Sequence, residues 1–128
     1  MSVLVDTDIL IWHLRGYPQA TRRLDQLSTL TLSAMSYLEL IQGMLNKAEL
    51  VAVQKMFELR KANVLPLTSA ITRRATELME TLSLSHGLQA ADALIAATAL
   101  DHQLILLTGN TKHFEPVNGL RIEAFKPS

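Results

Sequence analysis

At 128 residues, with 48% hydrophobic and only 19% charged side chains, the chain is long and apolar enough to bury a core without cross-links, and its composition is not that of a disordered segment. Twelve Lys+Arg balance twelve Asp+Glu, which argues against attachment to nucleic acid through bulk charge while permitting binding, and the lack of cysteine excludes a disulfide framework and a thiolate metal site. No stretch reaches the roughly 20 apolar residues of a membrane span, and Asp6 and Asp8 interrupt the only leader-like run, so a cytoplasmic protein of one domain, residues 1–128, is expected.

The first element is a short buried strand, Val3 to Val5, which runs into Asp6-Thr7-Asp8 before a helix starts over Ile9 to Leu14. Gly16-Tyr17-Pro18 breaks that helix, and Pro18 opens the next, to about Leu27. Leu30 to Leu32 is a second strand, and Ser36 opens a helix with Leu38, Ile41 and Leu45 on one face. A helix from roughly Glu49 to Ala62 turns Val53, Met56 and Phe57 inward. Val64 to Leu67 reads as a strand, and Pro66, which has no N–H for a ladder, puts it at a sheet edge.

From Ser69 the spacing Ile71, Ala75, Leu78, Met79, Leu82 predicts a helix that ends at His86-Gly87. The next helix, Ala90 to Leu100, is apolar nearly all round and rich in alanine, so it must pack closely on several sides. Leu104 to Leu107 is a strand ending at Thr108-Gly109-Asn110, and Leu120 to Phe125 is the last. Strands alternating with helices predict an α/β fold: a parallel sheet of four to five short strands flanked by helices on both faces. Such sheets bind ligands beyond the carboxyl ends of their strands, which is where Asp6 and Thr108 fall.

Each carboxylate in those positions has a structural explanation as well as a chemical one. Asp8 stands where a helix N-cap belongs, which leaves Asp6 without a structural task. Glu39 completes a capping-box pattern with Ser36, and Asp92 favours a helix N-terminus through the macrodipole. Taken together, Asp6, Glu39 and Asp92 all lie just past a strand or near a helix start, so one sheet edge can gather them. Gathered carboxylates repel unless a divalent cation holds them, and an all-oxygen set points to Mg²⁺ or Mn²⁺. The four histidines have neither HxH nor HExxH spacing, which argues against a histidine zinc site. The basic pairs Arg22-Arg23, Arg60-Lys61, Arg73-Arg74 and Lys112-His113 read as solvated helix faces.

Strand-Asp6-Thr7, Ser36-Tyr37-Leu38-Glu39-Leu40 with Gly43, the Asp92 to Ala99 helix and Thr108-Gly109-Asn110-Thr111-Lys112-His113-Phe114 occur in an order that resembles the PIN-domain ribonucleases, and among them the VapC-type toxins of toxin–antitoxin pairs. The resemblance covers essentially the whole chain. It implies a PIN-like sheet and a Mg²⁺-dependent endoribonuclease in which Mn²⁺ substitutes. It also implies an RNA substrate, a small antitoxin partner and a homodimer. Asp6, Glu39 and Asp92 match the family's metal-binding acids, Thr108 its hydroxyl, and Asn110 a fourth position that is often Asp. Asn110 still offers a carbonyl oxygen but no charge, and Asp8 is placed to hold an outer-shell water. Lys112, Arg15 and Arg22 are candidates to meet the RNA backbone, and Trp12, Met35, Met44 and Leu45 to line an antitoxin groove.

A second resemblance begins from the same residues. VLVDTDIL is similar to the phosphatase signature of the haloacid dehalogenase superfamily, which would make Asp6 a nucleophile, Asp8 a general acid and Ser33 a phosphate-binding hydroxyl. That signature needs an acidic pair after a later strand, and Gly109-Asn110 offers none. A third alternative is a PIN-fold binding module whose site is degraded at Asn110.

Overall fold

The computed structural model describes residues 2–126, so residues 1, 127 and 128 of the expected domain lie outside the described residues. Strand β1 (Val3–Val5) is buried along its whole length, and α1 (Thr7–Leu14) follows after a single residue. Helix α2 (Pro18–Asp25) starts on its proline, at the position where a missing N–H breaks no helical bond. Next come β2 (Thr31–Ser33), α3 (Ala34–Gln42), α4 (Lys47–Leu59), β3 (Asn63–Leu65) and α5 (Ser69–His86). The chain continues through α6 (Ala90–Asp101), β4 (Ile105–Thr108), the one-turn α7 (Thr111–Phe114) and β5 (Ile122–Ala124).

All strand pairs are parallel, but the ladder is divided. One sheet has the order β1-β4-β5, with Val3 opposite Ile105 and Leu106 opposite Ile122. The other pairs β2 with β3, Thr31 opposite Asn63. Strand β2 lies beside β1 without a ladder between them, so the single expected sheet becomes three strands plus two. The chain thus leaves β1 toward β2 on one side and β4 on the other, which makes the carboxyl end of β1 the crevice of the fold.

The two-residue period of the strands sorts their side chains into two cores. Leu4 and Leu106 join Ile71, Ala75, Ile95 and Phe114 under α5 and α6. Val3, Val5 and Leu107 join Ile9, Leu10, Leu32 and Met56 on the opposite face. Each fully buried aliphatic side chain contributes roughly 1.5–3 kcal/mol, so helices on both faces follow from strands that are apolar on both. The alanines of α6 admit close neighbours: Ala93, Ala96, Ala97 and Ala99 are all fully buried. The α5 stripe lies inward as its spacing predicts, and Gly87, at φ +69°, ends the helix in the left-handed conformation.

The start of α3 differs from expectation. Ser33, the last residue of β2, is its N-cap, with Oγ accepting from Met35 N–H at 3.1 Å. The buried face is Ser36 and Leu40, while Leu38 and Ile41 are 54% and 40% exposed and Leu45, beyond the helix end, is 89% exposed. The capping box expected of Ser36 and Glu39 therefore does not form, because Ser36 lies inside the helix, fully buried. Helix α4 likewise starts earlier, capped by Asn46, and ends at Leu59. Two of the basic pairs are partly committed: Arg23 makes a two-pronged bond to Glu123 at 2.8 and 2.9 Å, and Arg60 pairs with Asp25 at 2.9 Å. No described helix is long and apolar enough to cross a membrane.

Candidate active site

Hydrogen bonding between β1 and β4 continues one residue past the strand: Asp6 N–H donates to the Leu107 carbonyl at 2.9 Å. That bond holds Asp6 at the crevice, 4% exposed. Its Oδ1 accepts from Thr7 N–H at 2.8 Å, so Asp6, not Asp8, caps α1. The helix starts two residues before the sequence reading placed it, because Asp6 takes extended backbone angles and Thr7 already turns. The other oxygen, Oδ2, accepts from Thr108 Oγ1 at 2.6 Å, and Thr108 Oγ1 accepts from Asn110 N–H at 3.0 Å.

Asp8 stands in the first turn of α1, where its Oδ2 accepts from Gly109 N–H at 2.9 Å. Its Oδ1 is buried and has no partner. Gly109 passes so close that a Cβ there would lie 2.5 Å from the Trp12 ring and 2.9 Å from Asp8 Oδ2. Trp12 is held in turn between Tyr17 and Phe125. Only glycine fits the turn.

Glu39, half-buried on α3, accepts from Thr7 Oγ1 at 2.7 Å. Asp92 lies in the first turn of α6, and its Oδ2 is 3.3 Å from His113 Nδ1 on α7. Asn110 precedes α7 with an exposed side chain that caps nothing. Ser33, required by the dehalogenase-like alternative as a free hydroxyl, is fully buried and spent on capping α3.

The charges act on one another. Burial, then the charge of Asp8, push the Asp6 carboxyl up to about 7, against the downward pull of its bonds to Thr108 and Thr7. Burial also raises Asp8, against the Gly109 amide. Asp92 is raised by burial and by Glu39, and the His113 imidazole draws it back. The charge of Asp92 is felt at both Asp6 and Asp8. No lysine or arginine appears among the charges acting on these three groups. Among the described residues, no three carboxylates or histidines already form a closed metal-ligating cluster. The donor chemistry nevertheless suits a hard divalent cation: carboxylate oxygens, no balancing lysine or arginine, and one buried carboxylate oxygen without a partner.

Sequence reasoning did not find Thr7 as the partner of Glu39, the Asp8–Gly109 tether, or His113 beside Asp92. A hydroxyl between two carboxylates and a glycine after a strand were the only local signals for the first two. Of the four groove candidates, Met44 and Leu45 line a groove of about 490 Å³ with Ile11, Leu14 and Leu40, and Glu39 is on its wall. Trp12 packs over Gly109, and Met35 packs against the core under α6. Arg15 also lines the groove, while Arg22 and Lys112 are exposed on α2 and α7.

The family model of the PIN domain matches residues 3–119. The chain is 41% identical over 118 residues to Ribonuclease VapC10 of Mycobacterium tuberculosis, a match spanning 88% of this chain and 85% of that one. Among solved structures it is similar to a toxin–antitoxin complex from Klebsiella pneumoniae, at 28% identity and TM-score 0.76, covering 99% of this chain and 98% of that one. It is also similar to VapBC-1 from nontypeable Haemophilus influenzae, at 27% identity and TM-score 0.80, covering 97% and 98%.

Proposed function

Since the chain belongs to the PIN-domain family, we propose that it is a Mg²⁺- or Mn²⁺-dependent endoribonuclease, the toxin of a toxin–antitoxin pair, acting on RNA in the cytoplasm. The observation that carries this reading is a sheet edge where Asp6, Glu39 and Asp92 come from three separate elements with no lysine or arginine to balance them. Likeness to a named ribonuclease and to toxin–antitoxin complexes supports it.

In this reading Asp6, Glu39 and Asp92 hold the cation, which when bound lowers the pKa of a water and offsets charge on the phosphodiester. Two hydroxyls position these acids: Thr108 fixes one oxygen of Asp6, and Thr7 fixes one of Glu39. Asn110 turns a neutral amide to solvent at the rim. Lys112 and Arg15, both exposed, meet the RNA backbone, which positions the strand without reading its sequence. The groove that has Glu39 in its wall takes a segment of the antitoxin, so occupying it also covers one of the site's acids. Two copies pair as a homodimer, which sedimentation of the pure protein measures.

The test is cleavage of structured RNA by the purified chain. It cuts internally with Mn²⁺ or Mg²⁺, leaves 5′-phosphates because water is the nucleophile, stops in EDTA, and ignores a generic phosphate monoester. Expression alone arrests growth, and a short neighbouring reading frame relieves the arrest. Wild-type cleavage by Asp6→Asn would overturn the site, and harmless expression would overturn the toxin role.

A further inference from the structure

The residues assigned so far leave one half-buried carboxylate outside the cation-holding set. Asp8 does not cap α1, since Asp6 does so, and it has no ion pair among the described residues. One of its oxygens is held by Gly109 N–H at 2.9 Å; the other is buried and makes no hydrogen bond, while the amides of Asp8 and Ile9 at the start of α1 also draw the carboxyl's pKa down. A carboxylate oxygen removed from water without a donor costs several kcal/mol unless something cationic or protic meets it.

Its direction is fixed by the same turn that holds Asp6. Thr108 binds Asp6 Oδ2 and the next residue, Gly109, binds Asp8 Oδ2, so consecutive loop residues grip the two carboxylates. The Trp12 ring closes over Gly109 and leaves no room there for a Cβ. Asn110, one residue further on, is neutral and exposed, and its side chain binds nothing in the crevice.

We infer that Asp8, projecting from α1 with one oxygen pinned and one free, is a member of the cation-holding set together with Asp6, Glu39 and Asp92, and that the loop residue Asn110 is not. This rests on the metal-dependent reading above. It assigns the two oxygens of Asp8 different tasks: Oδ2 anchors the 108–110 turn, and Oδ1 faces the cation or its water.

Calorimetric titration of MnCl₂ into the full chain without RNA separates these tasks, read beside thermal unfolding in EDTA. Asp8→Asn keeps an acceptor for Gly109 N–H and removes the charge. It should weaken Mn²⁺ binding by about tenfold or more with the metal-free Tm unchanged or higher, whereas Asn110→Ala should alter binding less than about threefold. Asp8→Ala removes the anchor too and should lower the Tm. If Asp8→Asn binds Mn²⁺ like the wild type while Asp6→Asn does not bind it, Asp8 is only an anchor and the inference falls alone. If Asp6→Asn also binds like the wild type, or the wild type binds no Mn²⁺, the metal-dependent reading falls with it. Should Asp8→Asn lower the Tm, Asp8→Glu, which restores the charge on α1, decides: recovered Mn²⁺ affinity supports the charge assignment, and no recovery overturns it.

Discussion

The crevice beyond β1 and β4 and the groove between α1, α3 and α4 share one residue, Glu39, yet they are built in opposite ways. In the crevice, Thr7 and Thr108 bind Asp6 and Gly109 binds Asp8 through hydrogen bonds of 2.6–2.9 Å, and one added methyl group at Gly109 has no place. The groove has a buried floor at Leu40 and Val53, but its walls carry apolar side chains left open, with Leu45 at 89% exposure and Leu14 at 42%. Fixed polar atoms gain nothing from further burial, whereas exposed apolar surface is stabilised by roughly 25 cal/mol for each Å² a partner covers. The difference separates chemistry, which needs atoms held in place, from association, which needs area still open.

The largest effect should come from the most constrained atom pair. Asp6→Asn is expected to cut RNA cleavage roughly 10²–10³-fold while stabilising the metal-free fold. The sign follows from linkage. A folded-state pKa raised from 3.8 to about 7 means the native chain keeps this proton where the unfolded chain has lost it. Stability from this group is then full below about pH 4 and falls as pH rises through 7. In EDTA at pH 8 the variant should exceed the wild type by roughly 2 kcal/mol, and denaturant titrations from pH 4 to 8 should show its flatter profile. A wild-type profile that rises over this range would contradict the burial assigned to Asp6.

Gly109→Ala tests the tightness of the turn. The new Cβ must displace an indole already packed on Tyr17 and Phe125, so the variant should lose about 1–3 kcal/mol and most of its cleavage. Unaltered melting would show that the crevice is looser than its distances. Thr108→Val removes only a hydroxyl that pulls the Asp6 pKa down, so the pH profile of cleavage should move up while stability falls by roughly 1 kcal/mol.

The smallest effect on the chain itself is expected in the groove. Leu45→Ser should leave unfolding within about 0.5 kcal/mol and cleavage unchanged, yet weaken inhibition by the antitoxin about tenfold. Equal inhibition of both forms would move the docking surface elsewhere.

Much of this architecture is visible in local patterns. The strand running into Asp6, the α5 stripe ending at Gly87 and the all-round apolar α6 depend on period and neighbours, which a sequence displays directly. The start of α3 does not, because Ser33 and Ser36 are both acceptable caps and only the end of β2 decides between them. The break between β1 and β2 is a matter of strand spacing, which no periodicity encodes. At the crevice, the chemically notable residue types were legible but their partners were not: Thr7 meets Glu39 across 32 positions and Asp8 meets Gly109 across 101.

Those separations bear on how the protein comes into being. The hydrogen bond from Thr108 to Asp6 joins residues 102 apart, and β1 has no ladder partner until β4 exists. Closing so long a loop costs only about 0.6 kcal/mol more than closing one of half the length, but pairings this distant make folding slow. The groove, by contrast, is lined by residues between Ile11 and Val53. A ribosome therefore releases every residue of the surface proposed to take a partner well before it delivers the strand that completes the crevice. Translation order alone gives the proposed docking surface a head start over the crevice it adjoins.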